Sequence, residues 1–210
     1  MGGLAVLLLL GFYLWGAYKI VRLAKPRWAK ALVILVVILI PTADAVYGRI
    51  KLRQMCAAEG GFKINHVASG VDGFLIDQGA SDFWIKQYGY QYNEGGERPD
   101  QRVNRYVLRD GAIALEWNVP SLARYEARFV RPNMREQFER DEYRVRDSKN
   151  DEVLGKYVQI GFRGGWAEQM LRGFSDAGAG WAASCGQQDP RIFESLILKT
   201  LKPTPNIKGE

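Results

Sequence analysis

Two long apolar stretches, Leu4–Tyr18 and Ala31–Val46, lie near the start of the chain and are separated by a short polar segment. The second stretch is flanked by Trp28 and Tyr47, aromatic residues of the kind that favours the headgroup region of a membrane. In a helix these two residues are about 28 Å apart, close to the ~30 Å thickness of bilayer hydrocarbon. The pattern predicts a transmembrane helical hairpin over residues 1–53, which form the first domain.

After the predicted hairpin the hydrophobic period changes, and residues 54–210 are predicted to form one β-rich domain. Apolar and polar residues alternate in short runs between turn residues, which is the pattern of strands. Asp110 and Gly111 give the strongest turn signal, since an Asp-Gly pair favours a two-residue hairpin. Pro190–Leu201 carries apolar residues at helical spacing and predicts a C-terminal helix. The predicted strands are Phe62–Val67, Gly73–Ile76, Asp82–Tyr92, Arg102–Leu108, Ala112–Val119, Leu122–Val130, Phe138–Arg146 and Val153–Phe162.

These elements predict a membrane-anchored α+β fold. Because the strands follow one another with short connections, we expect an antiparallel β-meander, either a strongly curved sheet or a small barrel. The C-terminal helix is expected to pack over an open end of the sheet, with a position on the membrane surface as the alternative.

The charge distribution predicts the orientation in the membrane. The net charge of the chain is +6, but residues 1–53 hold eight of the 29 Lys and Arg residues and one of the 23 acids. That domain therefore carries the whole surplus, and residues 54–210 are nearly neutral. The connecting segment Lys19–Lys30 contains five basic residues and no acid, against three basic residues just after the second apolar stretch. The positive-inside rule then places this segment in the cytoplasm and the β-rich domain in the periplasm of a bacterial inner membrane.

Two cysteines, Cys56 and Cys185, lie at the start and near the end of the β-rich domain. In an oxidising periplasm an isolated pair of this kind predicts a disulfide. The alternative is two unrelated buried thiols in a cytoplasmic domain. The cysteines and the charge distribution are independent observations, and both favour the periplasm.

The sequence contains no recognisable catalytic set. Its single histidine, His66, has no neighbouring Cys or patterned carboxylate that would indicate a metal site. None of its serines lies in a nucleophile elbow, and its glycine pairs lack the Lys-Ser/Thr of a phosphate-binding loop. The near-neutral domain also lacks the basic face of a nucleic-acid binder. We therefore predict a protein that is not an enzyme, with no cofactor, no metal and no nucleic-acid partner.

Two groups of residues are candidates for binding. Four aromatic residues share one face of the predicted strand Asp82–Tyr92 and are typical of a protein or glycan contact, with the core of the sheet as the alternative. A series of arginines on later strands is the second group, with an anionic ligand or cross-strand ion pairs as its two interpretations. The candidate residues are Trp84, Tyr88, Tyr90, Tyr92, Arg124, Arg128, Arg144, Arg146, Arg163 and Trp166.

Short motifs give a resemblance to known proteins. With Cys56-Ala57-Ala58-Glu59-Gly60-Gly61 and Arg163-Gly164-Gly165-Trp166, followed by Cys185-Gly186, the chain resembles uncharacterised proteobacterial envelope proteins. The resemblance implies two membrane spans and a small Cys-paired β domain, and it implies no activity. The general plan is also similar to membrane effectors of bacterial cyclic-oligonucleotide defence, whose β domain is cytoplasmic. The basic connecting segment and the two cysteines argue against that assignment.

The function predicted from the sequence is therefore that of an inner-membrane-anchored periplasmic accessory protein. It would bind another envelope component as an assembly, immunity or exclusion factor. Its partners would be the lipid bilayer and a second membrane or envelope protein, and a homo-oligomer is possible. The alternative is a cytoplasmic sensor that recognises a nucleotide or lipid signal through its arginines.

Overall fold

A computed structural model describes residues 2–96, 102–132, 137–172, 181–186, 189 and 191–205. Five helices and eleven strands lie in these ranges, and all are numbered in chain order. The helices are α1 (Gly2–Leu23), α2 (Arg27–Glu59), α3 (Phe83–Tyr88), α4 (Trp166–Arg172) and α5 (Ile192–Thr200). The strands are β1 (Gly61–Ile64), β2 (Ala68–Val71), β3 (Gly73–Ile76), β4 (Tyr92–Gly95), β5 (Arg102–Arg109), β6 (Ala112–Pro120), β7 (Tyr125–Val130), β8 (Phe138–Asp147), β9 (Glu152–Phe162), β10 (Ala183–Cys185) and β11 (Leu201–Pro203).

The chain divides into two compact units, whose boundaries run through β8 and β9. The first unit comprises the described residues within Met1–Glu59, Asn133–Glu139 and Ile160–Cys185. The second unit comprises the described residues within Gly60–Pro132, Arg140–Gln159 and Gly186–Glu210.

The predicted transmembrane hairpin is wrong, although α1 and α2 cover both apolar stretches. Helix α2 bends by 54° between Arg27–Val37 and Thr42–Glu59. The bend divides its apolar run, so neither part holds the roughly 20 consecutive apolar residues that a span requires. No single helix in the described part of the chain is long and apolar enough to cross a membrane. The two parts of α2 reach the required length and apolar composition only when they are counted together.

The first unit is cross-linked by a disulfide between Cys56 on α2 and Cys185 on β10, with Cα atoms 5.8 Å apart. This bond confirms the predicted cysteine pairing. Strand β10 pairs antiparallel with the last three residues of β9. Around these elements the ring of Phe162 contacts Phe138, with 5.2 Å between ring centroids. A side chain at Gly48 on α2 would overlap that Phe162 ring, which accounts for glycine at this position.

The second unit is built on a mixed sheet, and the predicted antiparallel meander is wrong. The strand order is β1-β9-β8-β7-β3-β4-β5-β6, and β10 pairs with the part of β9 that belongs to the first unit. Strand β3 runs parallel to both of its neighbours, β4 and β7. The parallel β3–β4 pair requires a crossover connection, which contains α3, because a tight turn can join only antiparallel strands. A second, two-stranded parallel sheet pairs β2 with β11.

The segment predicted as a strand over Asp82–Tyr92 instead forms α3 followed by the first residue of β4. Trp84 and Tyr88 are four residues apart, a spacing that places side chains on one face of a helix as well as on one face of a strand. The helix is followed by Gly89, which forms its C-cap. Gly89 has a left-handed backbone (φ 78°), and its amide donates a hydrogen bond to the Ile85 carbonyl. The spacing of the aromatic residues in this segment therefore does not distinguish a helix from a strand.

Other local predictions are confirmed. Strands β5 and β6 form the expected hairpin around Asp110 and Gly111, whose φ angles of 50° and 80° match the left-handed turn that this pair favours. The predicted C-terminal helix is present as α5. Its buried side chains join one core cluster with residues of the sheet and of α3, including Val71, Phe74, Trp84, Tyr90, Ala127, Val145 and Tyr157.

Candidate functional site

An arginine-rich surface lies on one face of strands β7 and β8 in the second unit. In their antiparallel register Arg128 lies opposite Arg144, and Glu126 lies opposite Arg146. Residues opposite each other on neighbouring strands, and every second residue along each strand, share a face. We call this group the arginine cluster, and it consists of Arg128, Arg140, Arg144 and Arg146 around Glu126 and Glu142.

Two buried carboxylates hold the arginine cluster together. The Glu126 side chain is fully buried, pairs with Arg128, and accepts a hydrogen bond from Nη2 of Arg146 at 3.1 Å. Glu142 is also buried and accepts a hydrogen bond from Nη2 of Arg140 at 2.7 Å and another from Arg144. Burial acts to raise the pKa of Glu142, but the hydrogen bonds and charges of these two arginines outweigh it and hold the pKa below its usual range. Glu142 is therefore ionised at neutral pH.

The arginines of this cluster are within reach of a ligand from solvent. The side chains of Arg144 and Arg146 are 41% and 34% exposed. Asp151 is the third acid in contact with the cluster, through a 2.6 Å hydrogen bond from Arg146, and its own side chain is 80% exposed. Four guanidinium groups thus surround two buried carboxylates, an arrangement that can offer forked donors to a phosphate or carboxylate group. The Glu126–Arg146 contact is a cross-strand ion pair of the kind that was the alternative interpretation. Arg128, Arg140 and Arg144 instead pair with a glutamate two positions away on the same strand.

The arginine cluster continues across the sheet as a row of cross-strand partners. The carboxylate of Glu94, which is fully buried, accepts hydrogen bonds from Nε of Arg105 at 2.7 Å and from the Leu122 amide at 2.9 Å. Arg105 reaches on to Glu116 at 3.0 Å, so each buried charge in this part of the row has a partner. Successive members of the row are Arg146, Glu126, Leu75, Glu94, Arg105 and Glu116.

Sequence analysis missed the Glu94–Arg105 pair. Charged residues that alternate with apolar ones along a strand are typical of a solvated face, and nothing local distinguishes a buried pair from an exposed one. The burial arises because Ser121, Leu122 and Ala123 lie over the Glu94 carboxylate and donate hydrogen bonds to it. That loop is distant from Glu94 in sequence.

The other basic candidates make separate ion pairs. Arg124 donates to the Asp147 carboxylate at 2.6 and 2.9 Å, and this contact lowers the pKa of Asp147. Arg163 belongs to the first unit and donates to Glu139 at 2.9 Å. Trp166, also in the first unit, has a partly exposed indole, and its backbone amide donates to Oδ2 of Asp44 at 2.7 Å.

The four aromatic candidates do not form one exposed stripe. Trp84 and Tyr90 are buried and pack their rings on Phe74, with centroids 5.0 and 5.1 Å apart. Burial raises the pKa of Tyr90, whose hydroxyl donates to the Leu201 carbonyl at 2.9 Å.

Tyr88 and Tyr92 are half-buried. The Tyr88 hydroxyl donates a hydrogen bond to the Glu194 carboxylate, and this hydrogen bond raises the pKa of the Tyr88 phenol. The Tyr92 hydroxyl donates to the Leu122 carbonyl at 3.3 Å, and burial raises the pKa of this phenol to about 12. A binding role for these aromatic residues stays a prediction.

A different surface stands out in the first unit, on the helices α1 and α2. Large apolar side chains on both helices are exposed. The segment Lys19–Lys30, which runs from the end of α1 into the start of α2, contains five basic residues and no acid. The ammonium group of Lys19 lies 5.4 Å from the centre of the Trp15 ring. We call this group the apolar helix surface, and its most exposed members are Leu8, Phe12, Leu14, Trp15, Tyr18, Leu23, Trp28, Leu32, Leu35, Ile40, Val46 and Tyr47.

Within the described ranges, no group of three or more His, Cys, Asp or Glu residues is arranged to hold a metal ion. Comparison of the chain with protein-family models, with curated proteins and with solved structures finds no match.

Proposed function

We propose that this chain is a non-catalytic accessory protein of a bacterial envelope. It associates with the inner membrane through the apolar helix surface, and its sheet binds another envelope component in the periplasm. The role is that of an assembly, immunity or exclusion factor. We assign no reaction to the protein. The arginine cluster and the apolar helix surface are suited to binding, and neither combines a nucleophile with a base.

The observation that carries this proposal is the exposed apolar face of α1 and α2 beside five cations without an acid. Large exposed apolar patches mark interaction sites in soluble proteins. Trp and Tyr favour the headgroup region, and Lys and Arg are attracted to anionic lipid by about 1 kcal/mol each near the surface. Tyr18 precedes the basic segment Lys19–Lys30 and Trp28 lies within it, and both supply the aromatic part of this pattern.

The disulfide supports the periplasmic part of the proposal. Disulfides persist in oxidising compartments and are rare in the bacterial cytosol. Cys56 and Cys185 are bonded to each other, and the sequence contains no other cysteine. Alkylation of unreduced protein taken directly from cells should therefore modify neither thiol, whereas labelling of both would contradict a periplasmic location.

The lipid contact can be tested by flotation of the purified full chain with vesicles. We expect the protein to float with phosphatidylglycerol vesicles and less with phosphatidylcholine vesicles. Replacing Arg22, Lys25 and Lys30 by Gln should weaken partitioning onto the anionic vesicles about 100-fold, from about 1 kcal/mol per charge.

A matched control replaces three exposed lysines of the second unit, Lys63, Lys149 and Lys202, by Gln and should leave flotation unchanged. Protein that stays at the bottom of the gradient with both lipids would contradict the lipid contact. Crosslinking in intact cells, followed by identification of the attached protein, tests the second partner.

The arginine cluster favours one other candidate function, the sensing of an anionic nucleotide or lipid signal from the cytoplasmic side. Its partly exposed guanidinium groups are suited to phosphate. Titration of the full chain with a cyclic dinucleotide, comparing wild type with Arg144→Gln, tests this candidate. Micromolar binding that the substitution weakens at least tenfold would favour it, and no binding would leave the accessory role as the better proposal.

A further inference from the structure

Strand β6 forms one end of the large sheet. It pairs with β5 on one side, and in the part of the chain that the structure describes no strand lies on its other side. The strand is nine residues long, from Ala112 to Pro120, and most of it is accessible. The exposed fraction is 68% for Trp117 and 36% for Leu115. A long accessible edge strand is a template for pairing with another strand.

The outward backbone groups of β6 follow from its hairpin. The two-residue turn makes the flanking residues, Arg109 and Ala112, a hydrogen-bonded pair, and bonded and non-bonded pairs then alternate along the strands. The amide and carbonyl groups of Ile113 and Leu115 therefore point away from β5. These two positions combine outward backbone groups with large apolar side chains, and the exposed Trp117 follows them where the register against β5 shifts.

Features that usually protect an edge lie in the second half of β6, beyond Leu115. Natural edge strands carry lysine, a central proline or a bulge that hinders pairing. The proline of β6, Pro120, is its last residue, and the register against β5 shifts between Glu116 and Val119, where Asn118 has a left-handed φ of 55°. The one charged residue, Glu116, is held by Arg105 at 3.0 Å and also by Arg109.

We propose that β6 pairs antiparallel with β6 of a second copy of this chain, about a twofold axis at Leu115. This register places Leu115 opposite Leu115 of the second copy, and Ile113 opposite Trp117 of that copy. Glu116 then lies opposite the small Ala114, so no acid faces another acid. Aromatic and aliphatic cross-strand pairs of this kind stabilise antiparallel sheets. A twofold contact is also the commonest symmetry of protein dimers.

The neighbouring symmetric registers fit less well. An axis at Glu116 places two glutamates directly opposite each other, which is destabilising. An axis at Ala114 places Trp117 opposite Gly111, in the turn of the second copy, so both Trp117 side chains lose their apolar partner. The sequence of β6 is therefore self-complementary in one register.

The test is the concentration dependence of the dimer of the full chain, by sedimentation in density-matched detergent. Wild type should dimerise, and Leu115→Lys should raise the dissociation constant at least tenfold, because it places two ammonium groups at the axis. Ala112→Lys adds the same charge at the start of the strand, opposite Asn118, and should change the constant less than threefold. A wild-type monomer at all concentrations, or a Leu115→Lys dimer as tight as wild type, would overturn the proposal.

The register can be measured independently of that variant. A spin label on Ala112→Cys in the otherwise unaltered chain should give a distance of about 20 Å between the two copies, from six residues of strand at ~3.3 Å each. Axes at Glu116 or Ala114 would give about 27 or 13 Å from the same rise. Either of these distances, or the absence of a dipolar signal, would refute pairing at Leu115.

Discussion

Glu126 is one of the two buried carboxylates on which the arginine cluster depends, and it serves both Arg128 and Arg146. Glu126→Gln keeps the shape but removes the charge that balances two guanidinium groups. We expect it to lower the free energy of unfolding by about 2–3 kcal/mol, less than a fully buried pair would lose because both arginines are partly exposed. Urea denaturation at pH 7 measures this loss.

The control for that substitution is Asp151→Asn, which removes the other carboxylate that contacts Arg146. Its side chain is almost fully exposed, so the change should stay within about 0.5 kcal/mol. Equal effects of the two substitutions would show that burial of Glu126 contributes nothing.

Asp77 gives a prediction with a definite sign in pH. Burial raises its pKa, although the Phe129 amide, which donates to Oδ2 at 2.6 Å, and the charge of Arg128 partly oppose this. The buried Oδ1 has no hydrogen-bond partner among the described residues. A carboxyl whose folded pKa is raised adds stability below its unfolded pKa of about 4 and loses it as pH rises through the folded value. Asp77→Asn should therefore be more stable, relative to wild type, at pH 7 than at pH 3.

Asp147 should behave in the opposite way. Its hydrogen bond with Arg124 lowers its pKa, so the ionised carboxylate stabilises the fold above an unfolded pKa of about 4. That stability is lost as pH falls through the folded value. Asp147→Asn should thus cost more stability at pH 7 than at pH 3. Thermal unfolding of wild type, Asp77→Asn and Asp147→Asn at the two pH values measures both effects. If both substitutions changed stability in the same direction between pH 3 and pH 7, the environments assigned to Asp77 and Asp147 would be wrong.

At the scale of elements, the close approach of α2 to Phe162 limits substitution at one position. An added methyl group at Gly48 would meet the Phe162 ring, whereas the position of a methyl group at Gly11 on α1 is open. Overpacking typically costs 1–3 kcal/mol, and replacing a helical glycine by alanine in open space gains about 0.5–1 kcal/mol. Thermal unfolding should therefore rank Gly11→Ala above wild type and Gly48→Ala below it.

The elements that the sequence predicted well are those whose information is local. The β5–β6 hairpin is specified by its alternation and by Asp110-Gly111, and α5 by its apolar spacing. The strand predicted over α3 failed because aromatic residues four apart fit both periods. The parallel pairing of β3 with β4 and β7 has no local signature, since it depends on contacts between distant segments.

For the candidate site too, the sequence predicted the local arrangement of residues and did not predict their burial. Alternation along β7 and β8 was enough to suggest that Arg128, Arg144 and Arg146 share a face with Glu126. It did not indicate that Glu126 and Glu94 are buried, because burial is decided by distant strands and loops. The apolar helices were evident from composition, but the bend in α2 is a property of its three-dimensional path.

For the whole molecule, the disulfide is the covalent constraint with the largest expected effect. It joins residues 129 positions apart. In the chain-entropy description a loop of this size corresponds to about 4–5 kcal/mol of stability. The double variant Cys56→Ser, Cys185→Ser should therefore unfold at lower urea concentration than wild type.

Wild type treated with a reductant should match the double variant. A double variant as stable as the oxidised wild type would show that the cross-link does not constrain the unfolded chain.

The order of strands in the large sheet has a consequence for how quickly the polypeptide reaches its native state. Gly61 lies opposite Val158, and Leu75 lies opposite Glu126, so the sheet joins segments that are synthesised far apart in time. Native contacts of such high order slow folding towards the millisecond-to-second range, because a long loop must close before its contacts form. Unpaired β strands of the incomplete chain are prone to aggregation in the meantime, so the dependence of folding on chaperones is a property to measure.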